Sequence, residues 1–194
     1  AVAVVMAAIG GLVLLALPGQ DVPAPPIFFT WWALASAFAL TETFVIRFHV
    51  RRESHTVSLS EIPFILGLAM SSPFHLVVGR IVGSLVVLVF HRRQAIHKIV
   101  FNVGIFVLDT ALALAAYRVL LAGRSQVSAA GLGAGYAALI VALLVGVVAV
   151  GVGIKLTQAD VPFKTLANAL SSAIAIGIVA SALGIAGLAL AWQD

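Results

Sequence analysis

Two oppositely charged residues stand inside the most apolar part of the chain. Arg80 lies in the middle of one apolar run, and Asp109 lies in the next. Counted at 1.5 Å per residue, both are roughly 16 Å from the helix ends that adjoin a basic loop. An unpaired charge at that depth in hydrocarbon costs at least ~2.5 kcal/mol, so we expect the two side chains to pair. The pair would either fix the register of two helices or act as a ligand counter-charge or switch.

Further polar residues could line a small cavity near this pair. Asn102 precedes Asp109 on the same helix face. Glu42, Glu61, Asn102 and Asn168 each lie a few residues from a helix end beside a basic loop, which predicts a polar layer at one depth. Taken singly, each has a structural alternative. Glu42 and Glu61 would be half-solvated near the basic loops, and Asn168 would bond to a neighbouring helix.

Signatures of catalysis and of cofactor binding are absent from the sequence. The chain has no cysteine, which excludes disulfides, thiolate ligands and cysteine nucleophiles. Nucleophile elbows, zinc-protease motifs and phosphate-binding loops are also missing. The loop histidines lack carboxylates at metal-ligand spacing, and we expect them to face anionic lipid rather than to hold a metal. These are His49, His55, His91 and His97. We therefore expect no enzyme activity, no cofactor and no metal site.

The composition indicates a membrane protein. Of the 194 residues, 62% are hydrophobic and 9% are charged, whereas soluble domains carry roughly 25% charged residues. Several apolar runs approach the ~20 residues that cross a bilayer as a helix. We expect an all-α fold, a polytopic helical membrane bundle of about six to seven membrane segments that forms a single transmembrane domain over residues 1–194. The predicted segments are Ala1–Leu17, Ile27–Ile46, Ser58–Met70, Phe74–Phe90, Ile99–Leu121, Leu132–Ile154 and Thr165–Ala191.

The third and fourth segments form a broken pair. A capping box of Ser58 with Glu61 could begin the first of them, or Ser60 could cap it and place Pro63 in the first turn. The segment spans about 20 Å, which is short for a crossing. The sequence Ser71–Pro73 then interrupts the helix. Either two short spans or a re-entrant half-helix with its return would place both flanking basic loops on one side.

Basic residues cluster in short loops, which explains the net charge of +4 without a nucleic-acid partner. Such clustering marks cytoplasmic loops that face anionic headgroups. It predicts a cytoplasmic N-terminus and an external Asp194. We expect an excerpt of a longer protein, in which one more helix would lead to any cytoplasmic domain. The loop residues are Arg47, Arg51, Arg52, Arg92, Arg93, Lys98, Lys155 and Lys164.

Small residues predict close helix packing at two places. Gly79 and Gly83 form a GxxxG motif, and Ala180, Gly184 and Gly187 line the last segment. Helices in lipid approach each other most closely where such residues lie.

About a third of the chain resembles the N-terminal membrane region of actinobacterial-type cyclic-di-GMP signalling proteins, in which a helical module precedes GGDEF and EAL domains. The resemblance implies a non-catalytic sensory or anchoring input module that works as a homo-oligomer and takes a small-molecule or lipid ligand. The catalytic domains are absent from these residues, so their activity is not carried over. The resembling residues are Ser58–Pro63 (SLSEIP), Pro73, Arg80, His91–Gln94 (HRRQ), Lys98, Phe101 and Asn102.

Two other functions remain open. The SEIP start, the helix break and the short helices are also similar to the substrate-binding components of vitamin-type uptake transporters. A third interpretation is an accessory subunit of a larger membrane complex. A GGDEF or EAL motif in the sequence after Asp194 would support the input module.

Overall fold

Helices make up most of the chain in the computed structural model, which describes the backbone of residues 1–17, 27–44, 46–50, 53–57, 59–157 and 163–191. Side chains are described for 1–17, 27–44, 59–156 and most of 174–190. Within these ranges the helices are α1 (Val2–Ala16), α2 (Trp31–Thr43), α3 (Glu61–Met70), α4 (Pro73–Val86), α5 (Ile96–Leu121), α6 (Ala129–Thr157) and α7 (Phe163–Ala191). A π-helical segment, Val87–His91, continues α4.

Three helical segments are long and apolar enough to cross a membrane: Pro73–His91, Ile96–Leu121 and Ala129–Leu156. They confirm the prediction of a helical membrane protein. The finer count of six to seven membrane segments is not established, because α1, α2 and α3 have only 15, 13 and 10 residues.

The second helix is shorter than the predicted Ile27–Ile46. Thr30 has an extended backbone (φ −79°, ψ 160°), and the Phe29 N–H donates to the carbonyl oxygen of Met70 at 2.8 Å. This bond ties the residues before Trp31 to the end of α3. At the other end the chain enters a strand at Ile46.

A β-hairpin replaces the irregular loop that the sequence suggested between α2 and α3. Strands β1 (Ile46–Val50) and β2 (Glu53–Val57) pair antiparallel, with Arg47 opposite Thr56. β-Branched residues such as Ile46 and Val57 favour this extended structure. Arg51 and Arg52 lie outside the described residues.

The predicted break between the third and fourth segments is present. Ser60 precedes α3 and Pro63 lies in its first turn, where the missing N–H costs no hydrogen bond. The capping box of Ser58 falls outside the described residues. Ser72 then caps α4, because its hydroxyl accepts a hydrogen bond from the His75 N–H at 3.3 Å, and Pro73 opens the helix.

Two hydrogen bonds show how the broken pair is oriented. The bond from Phe29 to Met70 puts the start of α2 beside the end of α3. Arg92 Nη2 donates to the carbonyl oxygen of Glu42 at 3.1 Å, which puts the end of α2 beside the end of α4. The loops that follow α2 and α4 therefore lie at the same end of the bundle. Helix α3 spans only about 15 Å, half of a bilayer core.

The GxxxG motif makes the predicted close helix contact, and its partner is α2. A Cβ at Gly79 would lie 2.7 Å from Leu34 Cβ, and a Cβ at Gly83 would lie 2.8 Å from Phe38 Cβ. In α7, Gly184 contacts α3 in the same way, whereas Gly187 faces open space. The main core lies between α2, α3, α4, α5 and α6 and includes Leu34, Phe38, Phe64, Ile65, Met70, Leu76, Leu114 and Leu139.

Candidate functional site

The charged pair predicted from the sequence joins α4 to α5. Arg80 Nη2 lies 2.8 Å from Asp109 Oδ2, and the two side chains are 14% and 4% exposed. Arg80 Nη1 donates to Thr110 Oγ1 at 3.0 Å, and the Thr110 hydroxyl lies 3.2 Å from Asp109 Oδ1. Arg80 and Asp109 thus neutralise each other's charge, and Thr110 adds a hydrogen bond to each of them. Two charges in an apolar bundle require such pairing.

Two aromatic rings complete the surroundings of the Arg80 guanidinium. Its central carbon lies 4.5 Å from the ring centroid of Phe64 and 5.1 Å from that of Phe106. Cations are attracted to aromatic faces at such distances. Phe64 belongs to α3, so the guanidinium connects α3, α4 and α5.

A cavity of about 310 Å³ opens beside the pair, near the lower end of the range for small-molecule sites. Polar groups from three helices face it, and α6 supplies an apolar wall. The polar or charged lining residues are Ser60, Glu61, Arg80, Asn102 and Asp109. The wall of α6 comprises Leu139, Ala142, Leu143, Gly146, Val147 and Val150.

The Glu61 carboxylate is incompletely satisfied. Its Oε2 atom is buried and has no hydrogen-bond partner within the described part of the chain. Buried carboxylate oxygens without a donor are costly, and most proteins supply one. Because Glu61 lines the cavity, a molecule bound there could supply the missing donor.

Asn102 connects the cavity to the loop after α4. Its Nδ2 donates to Gln94 Oε1 at 3.0 Å. Gln94 is held in turn by a bond from its backbone N–H to the carbonyl oxygen of Leu88 at 2.9 Å. The HRRQ loop is therefore fixed to a cavity wall.

Glu42 does not join the polar layer that the sequence suggested. Ser84 Oγ donates to Glu42 Oε1 at 2.6 Å in the interface of α2 and α4. Glu42 is 8% exposed, so the half-solvated alternative is also wrong for this residue. The parallel course of α2 and α4 brings Glu42 to Ser84 instead of to the cavity. The side chain of Asn168 lies outside the described residues.

Basic side chains at the predicted cytoplasmic end face outward. Arg92, Arg93, Lys98 and Lys155 are exposed. For the other four loop residues (Arg47, Arg51, Arg52 and Lys164) the side chains lie outside the described ranges. Among the side chains that are described, no group of histidines and carboxylates is placed to hold a metal ion.

Several residues of the site carried no signal that sequence reasoning used. Thr110 follows Asp109 directly, and the neighbourhood of a buried carboxylate could have singled it out. Phe64 and Phe106 are two of 11 phenylalanines, and only the fold shows that they meet Arg80. Gly146 likewise becomes notable because a Cβ there would lie 4.0 Å from Asp109 Oδ2, next to the cavity.

Comparison with known proteins gives no family for this chain: no family profile, no curated protein and no solved structure matches it. The chemistry of the site therefore rests on its own geometry.

Proposed function

We propose that this chain is a membrane-embedded input module that binds a small molecule in the cavity and passes its occupancy to a cytoplasmic output domain. The observation that carries the proposal is the cavity, with its ion pair and its unpartnered Glu61 oxygen inside an apolar helical bundle. Ionisable side chains within membrane bundles usually serve function. The module itself is non-catalytic, and it works as a homo-oligomer.

The proposed setting is the bacterial cytoplasmic membrane, with six to seven membrane segments and α3 as a re-entrant arm. The N-terminus and the three basic loops lie on the cytoplasmic side against anionic headgroups, and Asp194 lies outside. Exposed Arg93, between the π-helical segment and α5, and exposed Lys98, in the first turn of α5, support this orientation, because positive residues concentrate in cytoplasmic loops.

Two connections support transmission from the cavity to that side. Helix α4 carries Arg80 at the cavity and Ser84 further along, and Arg92 follows the π-helical segment that continues α4. Ser84 and Arg92 both bond to Glu42. Helix α5 carries Asn102, which bonds to Gln94 in the loop. Between Arg80 and the loop lies the π-helical segment, a type of irregularity that is frequent at functional sites. A ligand that displaced Arg80 would thus shift the basic loop.

The test is the signalling output of the full-length protein in its own cells. Gly146→Leu extends a side chain into the cavity, and Gly133→Leu on the same helix is the control, because a Cβ there meets nothing within 4 Å. We expect Gly146→Leu to fix the cellular cyclic-di-GMP level regardless of growth conditions, while Gly133→Leu responds as the wild type does. A wild-type response from Gly146→Leu at normal membrane abundance would contradict the input module.

The same cavity favours one alternative, the substrate-binding component of an uptake transporter. A cavity between helices of a bundle suits either role. If Gly146→Leu abolished uptake of a small molecule and left signalling unchanged, the transporter would be the correct function.

A further inference from the structure

The polar groups around the cavity are not equally available to a ligand. Arg80 already contacts Asp109 Oδ2, Thr110 Oγ1 and two aromatic rings. Asp109 has one oxygen on Arg80 and the other beside the Thr110 hydroxyl. An anionic ligand at Arg80 would compete with the Asp109 carboxylate, which already balances the charge of the guanidinium in an apolar medium. The arginine is therefore a poor anchor for an anion.

Glu61 has the opposite property. Its Oε2 is buried without a donor among the described residues. Of the described lining residues, Glu61 and Asp109 carry carboxylates, and Arg80 is the one cation. The lining thus has one carboxylate more than it has cations. Both the excess charge and the missing donor are satisfied by a positively charged group that donates hydrogen bonds.

The remaining wall sets the shape of the ligand. Helix α6 presents Leu139, Leu143, Val147 and Val150 to the cavity. A cavity of about 310 Å³ corresponds to roughly ten water-sized volumes at ~30 Å³ each. It therefore accommodates a molecule with one polar head and a short apolar body.

We propose that the cavity binds a small amphiphilic cation, whose ammonium group donates to Glu61 Oε2 and whose apolar body packs on α6. This ligand class rests on the proposed role of the cavity as a ligand site. An ammonium of this kind occurs in free amines and in the amine headgroups of lipids.

The experiment measures binding of tritiated hexylamine and tritiated hexanoate to the full 194-residue chain in nanodiscs of phosphatidylcholine and phosphatidylglycerol. Gly133→Leu, Gly146→Leu and Glu61→Gln are compared with the wild type. We expect saturable binding of hexylamine, not of hexanoate, to the wild type and Gly133→Leu. Glu61→Gln should weaken it at least about tenfold, since a hydrogen bond to a charged group is lost. Gly146→Leu should abolish it.

The outcomes separate the ligand class from the function. Preference of the wild type for hexanoate, or hexylamine binding that survives in Gly146→Leu, overturns the cationic class. If hexanoate binds and Gly146→Leu removes this binding, the cationic class is wrong, but the cavity is still a ligand site. If neither probe binds saturably, the cationic class is wrong, and the signalling output of Gly146→Leu decides the function separately. The preference for hexylamine over hexanoate is measured with the wild type, so this result does not depend on how the variants fold. If phosphatidylethanolamine added to the nanodiscs competes with hexylamine, the natural ligand is a lipid headgroup. If it does not compete, the natural ligand is a free amine.

Discussion

The guanidinium of Arg80 is held by an ion pair and a hydroxyl group from α5 and by two aromatic rings, one from α3 and one from α5. These contacts fix the register of α4 against α5 and leave little of the guanidinium for a ligand. Glu61 is the member of the site with an unused buried oxygen. At the residue scale we therefore assign the two roles to different residues: Arg80 and Asp109 hold α4 and α5 together, and Glu61 is the proposed contact of the ligand.

Removing one partner of the pair should destabilise the protein. Asp109→Ala removes the carboxylate that contacts Arg80 and leaves the guanidinium without its ion-pair partner, and we expect a loss of about 3 kcal/mol in the free energy of unfolding. The measurement is unfolding in mixed detergent micelles. The double variant Arg80→Met/Asp109→Ala removes both charges and should recover much of the loss. A double variant no more stable than Asp109→Ala would contradict this account of the pair.

Loss of the hydrogen bond between Ser84 and Glu42 should also destabilise the protein, here in the interface of α4 and α2. Ser84→Ala removes the donor to the buried Glu42 Oε1, which should cost about 1–3 kcal/mol in the same assay. Ser36→Ala is a matched control, because that hydroxyl is exposed and bonds to the carbonyl oxygen of Trp32 in its own helix. Equal effects of the two substitutions would argue against the importance of the Glu42 contact.

At the scale of the elements, the parallel pair of α2 and α4 depends on two glycines. Gly79 and Gly83 let the backbones approach so closely that any Cβ would meet α2. This contact was predictable, because GxxxG has one physical use between membrane helices. The partner of the motif was not predictable, since several helices could have supplied the opposing face.

Gly83→Ala should push α2 away from α4. The new methyl group would lie 2.8 Å from Phe38 Cβ, and overpacking of this kind costs about 1–3 kcal/mol. Gly133→Ala adds the same methyl group where no atom lies within 4 Å and should leave the midpoint of thermal unfolding nearly unchanged. Equal midpoints for the two variants would show that the helices separate without cost.

Element boundaries show where sequence reasoning stops. The break after Met70 follows from Ser71, Ser72 and Pro73, which are local signals. The late start of α2 does not follow from local signals, because it depends on a hydrogen bond from the Phe29 N–H to the Met70 carbonyl oxygen. Likewise, matched depth predicted that Arg80 meets Asp109, whereas the pairing of Glu42 with Ser84 required knowledge of which helices run side by side.

For the whole molecule, the loops that follow α2 and α4 lie at the same end of the bundle, where Arg92 and Arg93 are exposed. Helix α3, about 15 Å long, runs from the cavity to the break, where it meets the start of α2. The proposed ligand site thus lies at the beginning of α3, where Ser60 and Glu61 line the cavity.

Orientation can be measured directly because the chain has no cysteine. Lys98 and Arg124 are both exposed, at opposite ends of α5. In intact cells a membrane-impermeant thiol reagent should label Arg124→Cys and not Lys98→Cys, with the reverse in inverted vesicles. Labelling of both variants from one side would contradict the proposed topology.

The most direct test of the central claim, that the cavity is a ligand site, is mass spectrometry of small molecules that remain bound when the protein is extracted with its native lipids. We predict one compound that is retained by the wild type and by Gly133→Leu and is missing from Gly146→Leu. Identical profiles for all three proteins, with nothing lost when the cavity is filled, would contradict the claim.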